Sequence, residues 1–155
     1  MIITEVSSQK AMPVIVQRVE PSDFKGITKK QFFFRWDQLK GKADLYKLTF
    51  EDDPVILGLM ALIDVTAEYR IEIKLLTTSK ENRGRGKQYE GIAGCLIAYA
   101  AKESVGKYRR LACVSLKPKT ELRQHYINKY GMQPGGEQIY LEGQELRDLI
   151  NIYQP

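Results

Sequence analysis

The sequence predicts a mixed α/β fold built as one domain over residues 1–155. Segments with the alternation typical of strands come first, and a strand, a loop, a helix, a strand, a helix and a strand follow in that order. The chain has 155 residues, of which 43% are hydrophobic and 28% charged, and this is enough to bury a core without disulfides or metals. No segment of about 20–50 residues recurs, so repeat architectures are excluded.

Four strands are predicted in the first half of the chain, at residues 11–20, 46–50, 55–63 and 69–75. Residues 55–63 are apolar throughout, as expected of an interior strand that is covered on both faces. Residues 69–75 alternate strictly between a core face and a polar face. The core face would hold Tyr69, Ile71, Ile73 and Leu75, and the polar face Arg70, Glu72 and Lys74. Residues 29–42 fit either a short amphipathic helix or a strand followed by a loop.

Three helices and two strands are predicted in the second half. A polar, basic loop over residues 77–90 precedes a helix over residues 91–104, which Gly106 is well placed to end. A buried strand over residues 111–116 leads to a helix over residues 120–130, capped by Gly131. A strand over residues 138–142 and a helix over about residues 145–153 close the chain.

Charge, hydropathy and cysteine content indicate which location and which kinds of site to expect. The formal net charge is +5. The apolar run from Val55 to Ile63 is far shorter than the ~18–20 residues that span a bilayer, so no membrane span or signal peptide is expected. Cys95 and Cys113 lie in apolar surroundings, and His125 is the only histidine. We therefore expect inert thiols, no metal site and a cytoplasmic location.

Residues 80–94 form a glycine-containing loop followed by the start of a helix, an arrangement typical of anion-binding sites. Unpaired N–H groups in the first turn of a helix point at an anion, and the helix dipole favours it. A Rossmann glycine pattern fails because residue 89 is Tyr89, and a P-loop fails because Gln88 follows Gly86-Lys87. The alternative is a solvated basic turn that joins two core elements.

The segment Gln88-Tyr89-Glu90-Gly91-Ile92-Ala93, followed by Leu96-Ile97, fits the pattern Q/R-x-x-G-x-G/A. It resembles the acetyl-CoA motif of the GNAT superfamily of N-acetyltransferases. The resemblance extends over residues 55 to about 142, because the strand, helix, strand, helix order agrees as well. In this sequence the loop before Gln88 is longer than usual, the gap from Tyr126 to Gly131 is one residue longer, and Lys119 stands where many relatives have asparagine.

This resemblance implies a mostly antiparallel central sheet with helices on both faces, and acetyl-CoA as co-substrate. The phosphates would lie on the motif segment and the residue after it (Gln88, Tyr89, Glu90, Gly91, Ile92, Ala93 and Gly94). The backbone of Leu76, Thr77 and Thr78 would bind the pantetheine arm like an added strand, near Lys119. The thioester would lie where this strand and the next one separate.

The implied reaction needs a base and an acid. A lysine-like amine with a pKa of ~10.4 is neutral only about once in 2,500 at pH 7, which costs roughly 4.6 kcal/mol. Glu72 is the candidate base, and its alternative role is an exposed strand residue between Arg70 and Lys74. Tyr126 is the candidate acid for the departing thiolate, and its alternative role is packing in the core. Tyr130 would replace it if the extra residue shifts the register.

Other functions and partners stay open at this point. The aromatic residues Phe32, Phe33, Phe34 and Trp36 would form either core or an acceptor-binding wall, and His125 is expected to point away from the site. A module that binds acyl-CoA without catalysis is the second hypothesis. A nucleic-acid-binding protein using Arg83 and Arg85 is the least favoured, because no such motif is present. The expected partner is a small-molecule or protein amine, and a homodimer is left open.

Overall fold

A nine-stranded sheet is the centre of the computed structural model, which describes residues 1–155. The strands are β1 (Ile2–Glu5), β2 (Ala11–Arg18), β3 (Asp44–Phe50), β4 (Ile56–Val65), β5 (Arg70–Thr78), β6 (Tyr89–Glu90), β7 (Cys113–Leu116), β8 (Gln133–Gly135) and β9 (Gln138–Glu142). The helices are α1 (Lys29–Phe32), α2 (Ile92–Tyr108), α3 (Thr120–Tyr130) and α4 (Gly143–Tyr153). No helix is both long and apolar enough to cross a membrane.

Every neighbouring pair of strands is antiparallel except one. The order across the sheet is β6-β1-β2-β3-β4-β5-β7-β9-β8, and only β5 and β7 run parallel. Helix α2 makes the crossover between these two strands, as a parallel connection requires. The prediction of a mixed, mostly antiparallel sheet is confirmed.

Two apolar cores cover the two faces of the sheet. The larger core of 26 buried residues includes Leu57, Met60 and Leu62 of β4, and helices α2, α3 and α4 pack against it. The smaller core of six buried residues includes Leu59 and Ala61 of β4, and α1 and the turn after it cover that face. Strand β4 is therefore an interior strand buried on both sides, as predicted.

A β-bulge in β5 changes the predicted alternation. Ala61 of β4 pairs with Leu75, whereas the next residue, Leu62, pairs with Ile73, so Lys74 has no partner on β4. An extra residue of this kind reverses the faces that follow it. Leu75 therefore packs on the smaller core instead of sharing a face with Ile73, and the strict alternation predicted to Leu75 is wrong. The prediction that Tyr69 lies on the core face is also wrong, because Tyr69 precedes the strand with φ 54° and is exposed.

Several predicted boundaries need correction. Helix α2 passes through Gly106 to Tyr108, because Asp64 of β4 accepts hydrogen bonds from Lys107 and Tyr108 and anchors the last turn. Strands β1, β6 and β8 were not predicted, since they are two to four residues long and lack a pattern. Residues 29–42 contain only α1 and a short 3₁₀ turn over Trp36–Leu39. Gly131 caps α3 with φ 71°, as predicted.

Candidate functional site

The site begins where β5 and β7 separate. Their parallel pairing runs from Arg70–Cys113 to Ile73–Leu116 and stops there. From Leu75 to Thr78, β5 is paired with β4 alone, and no strand lies against its other edge. An unpaired strand edge offers N–H and C=O groups that an extended ligand can bind.

A cavity of about 120 Å³ lies in the gap between the two strands, and we call it the inner cavity. It is lined by Ile73, Lys74, Leu75 and Leu76 of β5, by Leu116, Lys117, Pro118 and Lys119, by Leu122 and Tyr126 of α3, and by Phe34 and Arg83. Its walls include members of both apolar cores, Leu75 from one face and Leu116 from the other. The inner cavity therefore borders residues from both faces of the sheet.

A wider groove of about 480 Å³ adjoins the inner cavity, and we call it the outer groove. The two share Leu76, Arg83, Lys119, Leu122 and Tyr126. The rest of the outer groove is lined by Thr77, Thr78, Asn82, Gly84, Lys87, Ala93, Glu121 and His125. A long ligand can thus lie along the free edge of β5 and extend its end into the inner cavity.

Helix α2 begins beside the outer groove. Gly91 precedes the helix with φ 104°, in the left-handed region that favours glycine. The N–H groups of Ile92, Ala93 and Gly94 have no acceptor in the backbone or in a capping side chain. Since Ala93 lines the outer groove, this end of α2 presents donors and a positive dipole to it.

Asn82 holds together the loop between β5 and α2. Its side chain is buried, its Nδ2 donates to Ser79 Oγ at 2.8 Å, and its Oδ1 accepts from the Tyr89 N–H at 2.9 Å. Its carbonyl oxygen accepts from the Thr78 hydroxyl at 3.2 Å. The base of the loop is thus built from buried hydrogen bonds, while Arg83 stays exposed at the groove.

No protein-family model matches the chain, and no curated protein matches it either. Solved structures do match. A GNAT family acetyltransferase from Elizabethkingia anophelis with acetyl-CoA bound has a TM-score of 0.59 at 14% identity, covering 84% of this chain and 98% of that one. A Bacillus subtilis acetyltransferase in complex with CoA has a TM-score of 0.58 at 10% identity, with 85% and 99% covered. AtaTR bound with AcCoA has a TM-score of 0.61 at 13% identity, with 89% and 98% covered.

The chain has the GNAT fold. At these identities the likeness concerns the fold, so the chemistry must be argued from the residues that line the two spaces. Of the residues that the sequence predicts to bind the co-substrate, Leu76, Thr77, Thr78, Ala93 and Lys119 line the outer groove.

The other residues of the motif do not line the outer groove and instead contact other parts of the protein. The Gln88 N–H donates to the Glu81 carbonyl at 3.1 Å, so neither this group nor the Tyr89 N–H faces a ligand. Glu90 pairs with Lys87 at 3.0 Å. Ile92 is buried in the larger core. At Gly94, a Cβ would come within 2.1 Å of the Tyr153 ring, so the glycine allows α4 to pack closely on α2.

Tyr126 lies at the junction of the two spaces, since it lines both. Burial raises the pKa of its phenol, and the nearby Arg83 opposes this shift. The phenol is therefore protonated at neutral pH and able to donate a proton. Tyr130 lines neither space; it is buried in the larger core, where burial raises its pKa further.

Glu72 lines neither space. Its carboxylate accepts a hydrogen bond from Gln138 Nε2 at 2.8 Å and lies 3.5 Å from the Arg70 guanidinium. It is half-buried next to Ile73, which does line the inner cavity. Direct contact with a ligand in the inner cavity is therefore not part of this arrangement.

The aromatic residues divide between the two expected roles. Phe32 and Trp36 are buried in the smaller core. Phe34 lines the inner cavity, and Lys119 Nζ lies 5.9 Å from the centre of its ring. The Arg83 guanidinium carbon lies 3.8 Å from the centre of the Phe33 ring, in a cation–π contact between the loop after β5 and the residue after α1.

The two cysteines are unsuited to nucleophilic chemistry. Cys95 is fully buried, and burial raises the pKa of its thiol to about 11. Cys113 is only half-buried, contrary to expectation, but burial also raises its pKa to about 11. Both thiols are protonated at neutral pH, and a thiol is a poor nucleophile.

Sequence reasoning missed three groups at the site. His125 lines the outer groove instead of pointing away from it. Asn82 gave no signal, because its role depends on contacts with Ser79 and Tyr89 that form only in the folded loop. The bulge at Lys74 did leave a signal: the successive apolar residues Leu75 and Leu76 break the alternation of β5.

Proposed function

We propose that this protein transfers the acetyl group of acetyl-CoA to a primary amine of a small molecule or a protein. The observation that carries this proposal is the inner cavity between separated parallel strands, with Tyr126 at its junction with a long groove. GNAT-fold proteins with acetyl-CoA or CoA bound support the choice of co-substrate.

The co-substrate would lie along the outer groove. Its pantetheine arm would bind the free edge of β5 at Leu76–Thr78, as an added strand does. Its pyrophosphate would accept hydrogen bonds from the first-turn N–H groups of α2, in the segment that Gln88–Gly94 shapes. Arg83, Lys87 and Lys119 line the same groove and would neutralise phosphate charge.

The reaction itself is a direct transfer. The neutral amine nitrogen attacks the thioester carbonyl carbon, the carbon–sulfur bond breaks, and the sulfur leaves as a thiolate. Tyr126 gives its proton to the thiolate and regains one from solvent. The proton lost by the amine passes to a base, and the products are an acetylamide and CoA.

We propose Glu72 as that base, acting through a water molecule. It is the residue next to Ile73 of the inner cavity, and Gln138 and Arg70 hold its carboxylate in place. The water is needed because Glu72 does not line the cavity.

Two measurements test the proposal. Isothermal titration calorimetry of the purified protein with acetyl-CoA should give a saturable heat, and a thiol reagent should detect CoA release with primary amines. Replacing Tyr126 by Phe should lower kcat about 100-fold and leave the affinity for acetyl-CoA unchanged, since one general acid contributes roughly 10²–10⁴ in rate. Tyr99→Phe is the matched control, because Tyr99 lies in α2 and lines neither space.

Each outcome has a distinct meaning. Absence of any heat with acetyl-CoA would overturn the proposal. Heat without CoA release across a broad amine panel would instead identify a module that binds acyl-CoA without catalysis. Equal kcat values for Tyr126→Phe and Tyr99→Phe would remove Tyr126 from the mechanism.

A further inference from the structure

The inner cavity is lined by four cations and by no carboxylate. The cations are Lys74, Arg83, Lys117 and Lys119. Arg83 and Lys119 also line the outer groove, where the phosphates of the co-substrate account for their charge. Lys74 and Lys117 line only the inner cavity, so the co-substrate phosphates do not explain them.

Lys74 is the more distinctive of these two. As the bulge residue of β5 it has no partner on β4, and the pairing with β7 ends one residue before it. Its ammonium forms no hydrogen bond or ion pair with the protein, whereas Lys117 Nζ pairs with the exposed Glu137 carboxylate at 3.0 Å. Lys74 is exposed and carries an uncompensated charge at the wall of the cavity where the proposed transfer would bring the acceptor amine to the thioester.

Such a wall discriminates between amines by their total charge. At neutral pH an acceptor amine arrives as an ammonium ion, which neighbouring cations repel. The same cations favour the neutral amine, which is the reactive form. An anionic group elsewhere on the acceptor would be attracted by the same cations and would offset their repulsion of the ammonium. The amine itself would still lie next to the cations.

We propose that the acceptor is a primary amine that also carries an anionic group, a carboxylate or a phosphate, and that Lys74 is the residue that selects it. This inference rests on the proposed acetyl transfer and names its substrate class. Phe34 provides the apolar side of the same cavity, against which the alkyl chain of the acceptor packs.

The test compares four amines of equal chain length: an alkylamine, an aminoalkyl carboxylate, an aminoalkyl phosphate and a diamine. We expect kcat/KM to be highest for the two anionic amines and lowest for the diamine, with at least about tenfold between anionic and neutral acceptors, the effect of one screened charge pair. The order of the carboxylate and the phosphate identifies the anionic group. The preference should shrink as salt is raised.

Substitutions at Lys74 assign the preference. Lys74→Met should raise KM for the anionic amines about tenfold and so reduce the difference in kcat/KM between the anionic amines and the alkylamine, because only the charge is removed. Lys74→Glu should make the diamine the best acceptor. Lys10→Met is the control, since Lys10 is exposed on the turn between β1 and β2 and lines neither space.

Binding is measured separately, so that failure of catalysis does not decide the result. The same four amines are titrated by calorimetry into the protein saturated with CoA, or into the protein alone if acetyl-CoA does not bind. Tighter binding of an anionic amine, lost in Lys74→Met, supports the inference with or without turnover. Equal affinities for the neutral and anionic amines, tightest binding of the diamine, or no binding of any of the four would overturn it.

Discussion

The two halves of β5 differ in what lies beside them. Residues 70–73 have β4 on one side and β7 on the other, and Ile71 and Ile73 are buried in the larger core. Residues 74–78 have β4 on one side only, and their other edge faces the inner cavity and the outer groove. The change occurs at the bulge of Lys74. One strand thus contributes stability with its first half and a binding edge with its second.

Removing one large side chain from each half is the strongest test of this difference. Ile71→Ala should lower the free energy of unfolding by about 2–5 kcal/mol, because it leaves a cavity in the larger core. Leu76→Ala should cost less, roughly 1–2 kcal/mol, because Leu76 is only half-buried. The affinity for acetyl-CoA should fall only for Leu76→Ala.

Urea unfolding measures the free energy of unfolding. Calorimetry, at a temperature where both variants are folded, measures the affinity for acetyl-CoA. Each variant is the control for the other, since both remove aliphatic carbons from the same strand. Equal losses of stability together with equal losses of affinity would mean that the two halves of β5 do not differ in role.

The structure of residues 70–73 of β5, the paired half, is largely predictable from the sequence. The structure of residues 74–78, the open half, is not. The apolar run of β4 and the alternation from Arg70 to Ile73 report burial, which is a local property of side chains. The bulge depends on how β4 and β5 register with each other. Lys74 is polar, and the alternation of β5 predicts a polar residue at this position. The alternation up to Lys74 therefore does not indicate the bulge.

The motif shows the same limit. Gly94 lies in the segment expected to bind the phosphates, but the space beside it is filled by Tyr153, nearly sixty residues later in the chain. Gln88 and Tyr89 use their N–H groups inside the loop. A short pattern can therefore locate the start of α2 without showing which of its residues face the groove.

The loop that extends the open half should depend on Asn82. Asn82→Ala should lower the free energy of unfolding by about 1–3 kcal/mol, because the Tyr89 N–H loses its acceptor inside the protein. The affinity for acetyl-CoA should fall as well, since this loop forms one wall of the outer groove. Thermal unfolding and calorimetry measure the two effects.

Asn128→Ala is the matched control for this change. Asn128 also accepts a side-chain hydrogen bond, from Gln124 Nε2 at 2.8 Å, but on the exposed surface of α3. We expect a change within about 0.5 kcal/mol there. If the two variants unfold at the same temperature and bind acetyl-CoA alike, the loop does not depend on Asn82.

The smallest expected effect concerns the ion pair beside the paired half. Asp64 of β4 lies opposite Ile71 and accepts hydrogen bonds from Lys107, at 2.5 Å, and from Tyr108. The hydrogen bond from Lys107, followed by that from Tyr108, lowers the pKa of the Asp64 carboxyl below its ordinary value of 3.8. Because solvent screens Lys107, Asp64→Asn should cost only about 0.2–1 kcal/mol at pH 7.

The sign of the pH dependence follows from the lowered pKa. The folded protein binds the Asp64 proton less readily than the unfolded chain, so the contribution is complete above the ordinary pKa of 3.8 and is lost as pH falls through the lower folded value. The difference in unfolding free energy between the protein and Asp64→Asn should be constant at neutral pH and close below about pH 4. Glu137→Gln breaks the more exposed pair with Lys117 and should change stability less. A difference that instead grows as pH falls would show that the end of α2 is held by something other than the Asp64 carboxylate.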